Sequence, residues 1–148
     1  MSAACELGSL TGAPEYRAQL RTFGRELGLA FQIADDLLDY TADAEQTGKP
    51  SGLDLREHKV TLPLIYALPR LAPGERAEVD AFFRDPEPSD EGIARVVELV
   101  RVYGGLEYAH GAAMECARRA EEALAGLPEG AALDALRASI VHAVERRR

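Results

Sequence analysis

The sequence has no tryptophan, only two cysteines, only two lysines and no long apolar run. Each shortage removes a class of protein. Cys5 and Cys116 are too few for a disulfide framework and show neither CxxC nor His–Cys spacing, so they read as thiols of a reducing compartment. No apolar stretch approaches the ~18 residues of a membrane span, so no transmembrane segment is expected. The opening MSAACELGSLTGA lacks a basic start and a long apolar stretch, so no secretory leader is expected and the cytoplasm is the default location. His58, His110 and His142 have no HExxH or paired spacing, which argues against zinc. No GxSxG, P-loop or GxGxxG is present. The net charge of -8 leaves no basic face to neutralise phosphates, so nucleic acid is not an expected partner.

What remains is a 148-residue chain, 47% apolar and 28% charged, dominated by Ala, Leu, Glu and Arg and without alternating Val, Ile and Thr. That composition predicts one globular, all-α helical bundle. Pro and Gly divide it. A short helix ends near Gly12, and a long one runs from Pro14 to Tyr40. Residues 41–60 carry no helical stripe and read as a loop of a length that is usually functional. Thr61 is placed to cap a helix with Pro63 in its first turn, running to about Leu71. After a Pro73-Gly74 turn come helices over 75–83, over 90–103 (capped by Ser89), over 106–127 and from Ala131 to about Arg146. The first residues read as the end of an apolar helix opened at Met1, an unusual start for a domain.

The long helix carries the chemistry. Counted from Gln32 at 100° per residue, Asp35, Asp39 and Asp36 fall at about 300°, 340° and 40°, so all four share roughly a 100° arc. From Leu27 to Tyr40 the rest of the circumference is apolar. A rod greasy over most of its surface belongs inside a protein, where each carboxylate costs several kcal/mol and neighbours at i,i+4 repel. Metal or basic partners must compensate. Oxygen ligands with room for water suit Mg²⁺, which takes a few carboxylates plus substrate phosphates. A solvated helix face is the competing reading, and the apolar surround weighs against it. An EF-hand is excluded by the missing D-x-[DN]-x-[DN]-G spacing.

The following loop, GKPSGLDLREHK, holds both lysines of the chain, Lys49 and Lys59, on either side of Asp54. Two ammonium groups near three carboxylates suit a site where metal and diphosphate charges must balance. An ordinary polar loop is the alternative.

The stretch from Gly24 to Leu68, with its order FQxxDDxxD, GKPxGxD and KxTLP, closely resembles the second aspartate-rich region of the trans-isoprenyl (polyprenyl) diphosphate synthases. GGLEYAHGAAMECARRAEEALAGLP resembles the late helices of that family, and ACELGSLTGA the segment after its mid-helix lysine motif. The resemblance covers nearly all of residues 1–148 and implies the C-terminal half of the isoprenoid synthase fold, with the second motif at 35–39. It implies a Mg²⁺-dependent transferase of isoprenoid biosynthesis that joins isopentenyl diphosphate to an allylic diphosphate. By that resemblance Asp35 is the main metal ligand, and Asp36 and Asp39 are adjacent ligands or hold metal-bound waters. Gln32 sits beside the diphosphate and Phe31 near the substrate cavity. Lys49 and Lys59 bind or orient pyrophosphate, and Asp54 positions Lys49 or metal water. The terminal Arg146, Arg147 and Arg148 resemble a basic tail that closes over the isopentenyl site; a frayed basic helix end is the competing reading.

The family's first aspartate-rich motif has no counterpart in residues 1–34. The chain alone is therefore expected to be inactive, and to act as a homodimer or beside a chain supplying that motif. The alternatives are a non-catalytic diphosphate-binding or partner subunit and a class I terpene cyclase relative, against which GKPSGLD and HKVTLP count.

Overall fold

Pro14 opens a single 3₁₀ turn, Pro14–Tyr16, which feeds the longest helix among the described residues. The computed structural model describes residues 1–41 and 52–145. In chain order the helices are α1 (Ser2–Gly12), α2 (Arg17–Thr41), α3 (Leu53–Arg56), α4 (Leu62–Ala67), α5 (Pro73–Phe82), α6 (Asp90–Val102), α7 (Gly105–Ala123) and α8 (Ala131–Val144), and no strand occurs among the described residues. The all-α expectation holds.

Local chemistry explains the boundaries. Ser89 caps α6, its Oγ accepting from the Gly92 amide at 3.2 Å, with Asp90 and Glu91 in the first turn and Arg101 in the last, as the helix dipole favours. Pro73 and Gly74 form the first turn of α5 rather than a preceding turn, because proline's missing N–H costs nothing there. Glu75 reaches back to the Ala72 amide at 2.9 Å. Helix α4 tightens into a 3₁₀ turn at Leu68–Arg70, where Pro69 cannot supply the next α-type donor.

The chain divides into two compact units, Met1–Ala34 with Gly111–Arg148, and Asp35–His110. In the first, Phe23, Leu27 and Ala30 of α2 pack with Cys116, Ala117 and Ala120 of α7 and with Leu133 and Ile140 of α8. The alanines let α7 approach closely, and each large buried side chain contributes about 1.5–3 kcal/mol. Gly24 allows α1 to cross α2, since a Cβ there would lie 2.9 Å from both Cys5 Sγ and Ser2 Cα. Glu6 of α1 binds both Arg17 and Arg21, and their hydrogen bonds pull its carboxyl down to about 2. A second carboxylate, Glu26, lies in the α2–α7 seam at 1% exposure. Burial alone would push its carboxyl up, but Arg119 (Nε at 2.8 Å) and Arg25 (Nη2 at 2.5 Å) hold it below its usual range.

In the second unit, Leu55 of α3, Leu64 of α4, Val79 and Phe82 of α5, and Ile93 and Leu99 of α6 form a core that also takes in Tyr40. One expectation changes here. The region read as an unbroken loop contains α3, whose four residues are too few to show a helical stripe. Along α2, Leu27, Ala30, Ala34 and Tyr40 are buried within these 148 residues, Leu29 is 46% exposed and Asp35, Asp36 and Asp39 are half-buried.

Candidate functional site

The acidic stripe lies on the last two turns of α2, with Phe31 and Gln32 one turn earlier. Gln32 is exposed, and Phe31 is half-buried against the core of the first unit. Asp35, Asp36 and Asp39 begin the second unit. Lys49 and Arg147 lie outside the described residues.

Helix α2 is tied at its end to the segments that follow. The carbonyl of Asp39 accepts the Gly52 amide at 2.9 Å, and its carboxylate accepts two more, Leu53 N on Oδ1 and Asp54 N on Oδ2, each at 3.0 Å. These are the first donors of α3, which no intrahelical carbonyl can satisfy. Burial, with some repulsion from Asp54, raises the Asp39 carboxyl above its ordinary value against the pull of these amides and of Lys59. Gly52 makes the turn at φ +78, where a Cβ would sit 2.3 Å from Ile93 Cγ2, so the position admits only glycine without rearrangement.

Tyr40 supplies the next tie. Its buried hydroxyl lies 3.0 Å from Thr61 Oγ1, and burial, with the nearby aspartates, pushes the phenol up to about 12. Thr61 is the N-terminal cap residue of α4 with Pro63 behind it, but its side chain pairs with Tyr40 and caps nothing.

Asp54, which the resemblance assigns to Lys49 or metal water, pairs with Lys59 among the described residues. Lys59 Nζ donates to Asp54 Oδ1 at 3.0 Å and pairs with Glu57 Oε2 at 2.7 Å, and Glu57 first and Asp54 next hold the ammonium well above its ordinary value. Their backbones are joined too. The Lys59 amide donates to the Asp54 carbonyl at 2.8 Å and the His58 amide to the Leu55 carbonyl at 2.9 Å, the paired bonds of a Schellman ending. His58 takes the left-handed position at φ 55 that glycine usually fills. Its ring meets Phe82 and Phe83, with Nε2 2.9 Å from the Asp85 carbonyl. Glu57 and His58 were not picked out by motif, whereas Gly52 is the second glycine of the GKPxGxD pattern. The left-handed turn after REH was the one signal available, and histidine disguised it.

Among the described residues, no three His, Cys, Asp or Glu side chains converge into a metal cage. No described helix is long and apolar enough to cross a membrane.

Residues 1–100 match the sequence profile of the family described as Polyprenyl synthetase, and the chain belongs to that family. It is 38% identical over 138 residues to a short chain isoprenyl diphosphate synthase from Methanothermobacter thermautotrophicus, covering 92% of this chain and 42% of that one. It is 42% identical over 127 residues to an all-trans-nonaprenyl-diphosphate synthase (geranyl-diphosphate specific) from Rhodobacter capsulatus, covering 86% and 38%. In structure it matches a polyprenyl synthase from Caulobacter crescentus CB15, solved with calcium and isoprenyl diphosphate, at a TM-score of 0.87 and 37% identity, covering 99% of this chain and 45% of that one. The chain thus spans less than half the length of these relatives.

Proposed function

We propose that this chain provides one half of a prenyl-transfer site, the half that holds the diphosphate leaving group of an allylic substrate through Mg²⁺. The observation that carries this reading is the hydrogen-bonded link between the acidic end of α2 and the Asp54–Lys59 pair. Asp35 and Asp36 would hold the metal. When bound, Mg²⁺ supplies the positive charge that stabilises a departing pyrophosphate. Lys59, with Lys49 from the preceding segment, adds cationic donors for the same oxygens. Asp54 and Glu57 take two of the three Lys59 donors in the described structure, so a bound phosphate would compete with carboxylates for this ammonium. Gln32 would flank the diphosphate, Phe31 would line the route of the prenyl chain, and Arg147 would lie toward isopentenyl diphosphate.

A single acidic helix leaves one side of the pyrophosphate without metal ligands. The relatives are more than twice as long as the matched region, and we infer that the opposing aspartate helix comes from sequence outside these 148 residues or from another chain. A homodimer in the cytoplasm is the corresponding assembly. One relative, from Geobacillus stearothermophilus, is named component 2 of a heptaprenyl diphosphate synthase, so a chain of this kind can work in a multi-part enzyme.

The experiment is a Mg²⁺-dependent condensation assay with isopentenyl diphosphate and geranyl, farnesyl or geranylgeranyl diphosphate. Run with a chain supplying the second acidic helix, it should give prenylated product that Asp35→Ala reduces by orders of magnitude. The 148-residue chain alone should give none. Robust turnover by the chain alone, or by the Asp35→Ala assembly, would refute the assignment.

A further inference from the structure

The carbonyl and both carboxylate oxygens of Asp39 accept the three successive amides of Gly52, Leu53 and Asp54. Turning the carboxylate toward a metal would release two orphan donors at the start of α3. What hangs from those donors is the pair the functional reading needs. Asp54 is bonded to Lys59 twice, carbonyl to amide at 2.8 Å and carboxylate to ammonium at 3.0 Å. The far end of α3 is held separately, by Arg56 against the Pro88 carbonyl at 3.4 Å and against Asp90. With Leu55 fully buried between these ties, α3 has its inner face and both ends fixed. Movement of the Asp54 backbone would carry Lys59 with it.

We propose that Asp39 is a positioning residue, which anchors the backbone of Leu53 and Asp54 and so sets the Asp54–Lys59 pair, and that it is not an inner ligand of the metal. This rests on the functional reading above and narrows it: the metal set is Asp35 and Asp36, while the third aspartate of the motif works through Lys59. The anchor itself is a property of the metal-free chain, and this makes the two separable.

The test has two arms. The first is amide hydrogen exchange on the metal-free chain. Asp39→Ala should speed exchange at Leu53, Asp54 and Lys59 by roughly tenfold to a hundredfold, as expected for losing charge-assisted bonds, and Asp39→Asn, which keeps the shape and one acceptor oxygen, by less. The second is calorimetric titration of Mg²⁺ with pyrophosphate into wild type, Asp39→Asn, Lys59→Ala and the double variant. A positioning role predicts that Asp39→Asn weakens binding by about tenfold in the wild-type background and by little once Lys59 is gone. Exchange unchanged in both Asp39 variants would overturn the proposal whatever the ligand does. Faster exchange with fully additive losses would also overturn it, since Asp39 would then act on the ligand directly. If wild type binds no magnesium pyrophosphate while exchange is still faster in the variants, the functional reading fails and the positioning role falls with it, leaving only the backbone anchor.

Discussion

Removing Arg119 tests how the first unit tolerates a buried carboxylate. Glu26 keeps 2% of its side-chain surface and has two guanidinium partners, Arg119 at 2.8 Å and Arg25 at 2.5 Å. At a charge separation of about 4 Å and an effective dielectric near 20, one such attraction is worth about 4 kcal/mol. Two things reduce the net loss in Arg119→Ala. Arg25 remains, and Arg119 itself is 43% exposed, so water enters where it stood. A destabilisation of about 2–3 kcal/mol follows, at or below the low end of the range for breaking a buried pair. Urea unfolding is the assay. With a slope of about 1–3 kcal/mol per molar, the midpoint should fall by about 0.7–3 M at an unchanged slope. Glu26→Gln should cost less, because the charges it leaves without a carboxylate, on Arg25 and Arg119, are exposed to water. A midpoint for Arg119→Ala within a few tenths molar of wild type would show that this ion pair does not hold the α2–α7 seam.

Two further perturbations follow from the same reasoning. Gly52→Ala adds a methyl at φ +78 and 2.3 Å from Ile93 Cγ2, and it should destabilise by about 2–4 kcal/mol in chemical denaturation. Adding Ile93→Ala should recover the steric part but not the backbone part. Glu6 is depressed in the fold from 4.5 to about 2 by Arg21 and Arg17, so the stability it contributes is present above pH 4.5 and is lost as pH falls toward 2. Over that window, urea midpoints of wild type should fall more steeply than those of Glu6→Gln, and parallel profiles would contradict the pairing.

Much of this was legible in the residues because the signals were local. Ser89 before DEG, Pro14 ahead of a long apolar stripe and DDxxD on one side of that stripe each needed only nearest-neighbour geometry. What escaped was short or distant. Helix α3 has four residues and no period to detect. The partners of Asp39 are backbone amides 14 and 15 positions away, which carry no side-chain signature. The Glu26–Arg119 pair joins residues 93 apart. Glu26 alone was nonetheless readable as unusual, for it sits between Phe23, Leu27 and Ala30 on the buried face of α2, where a surface glutamate has no place.

The central claim is that the acidic end of α2 receives a divalent cation together with pyrophosphate. Paramagnetic broadening by Mn²⁺, used as a magnesium surrogate in NMR of the isotope-labelled chain, tests it most directly. In the presence of pyrophosphate, the Asp35 and Asp36 signals should broaden first, and Asp35→Asn should abolish the effect. Sharp signals at 35 and 36, with broadening elsewhere on the chain, would contradict the account.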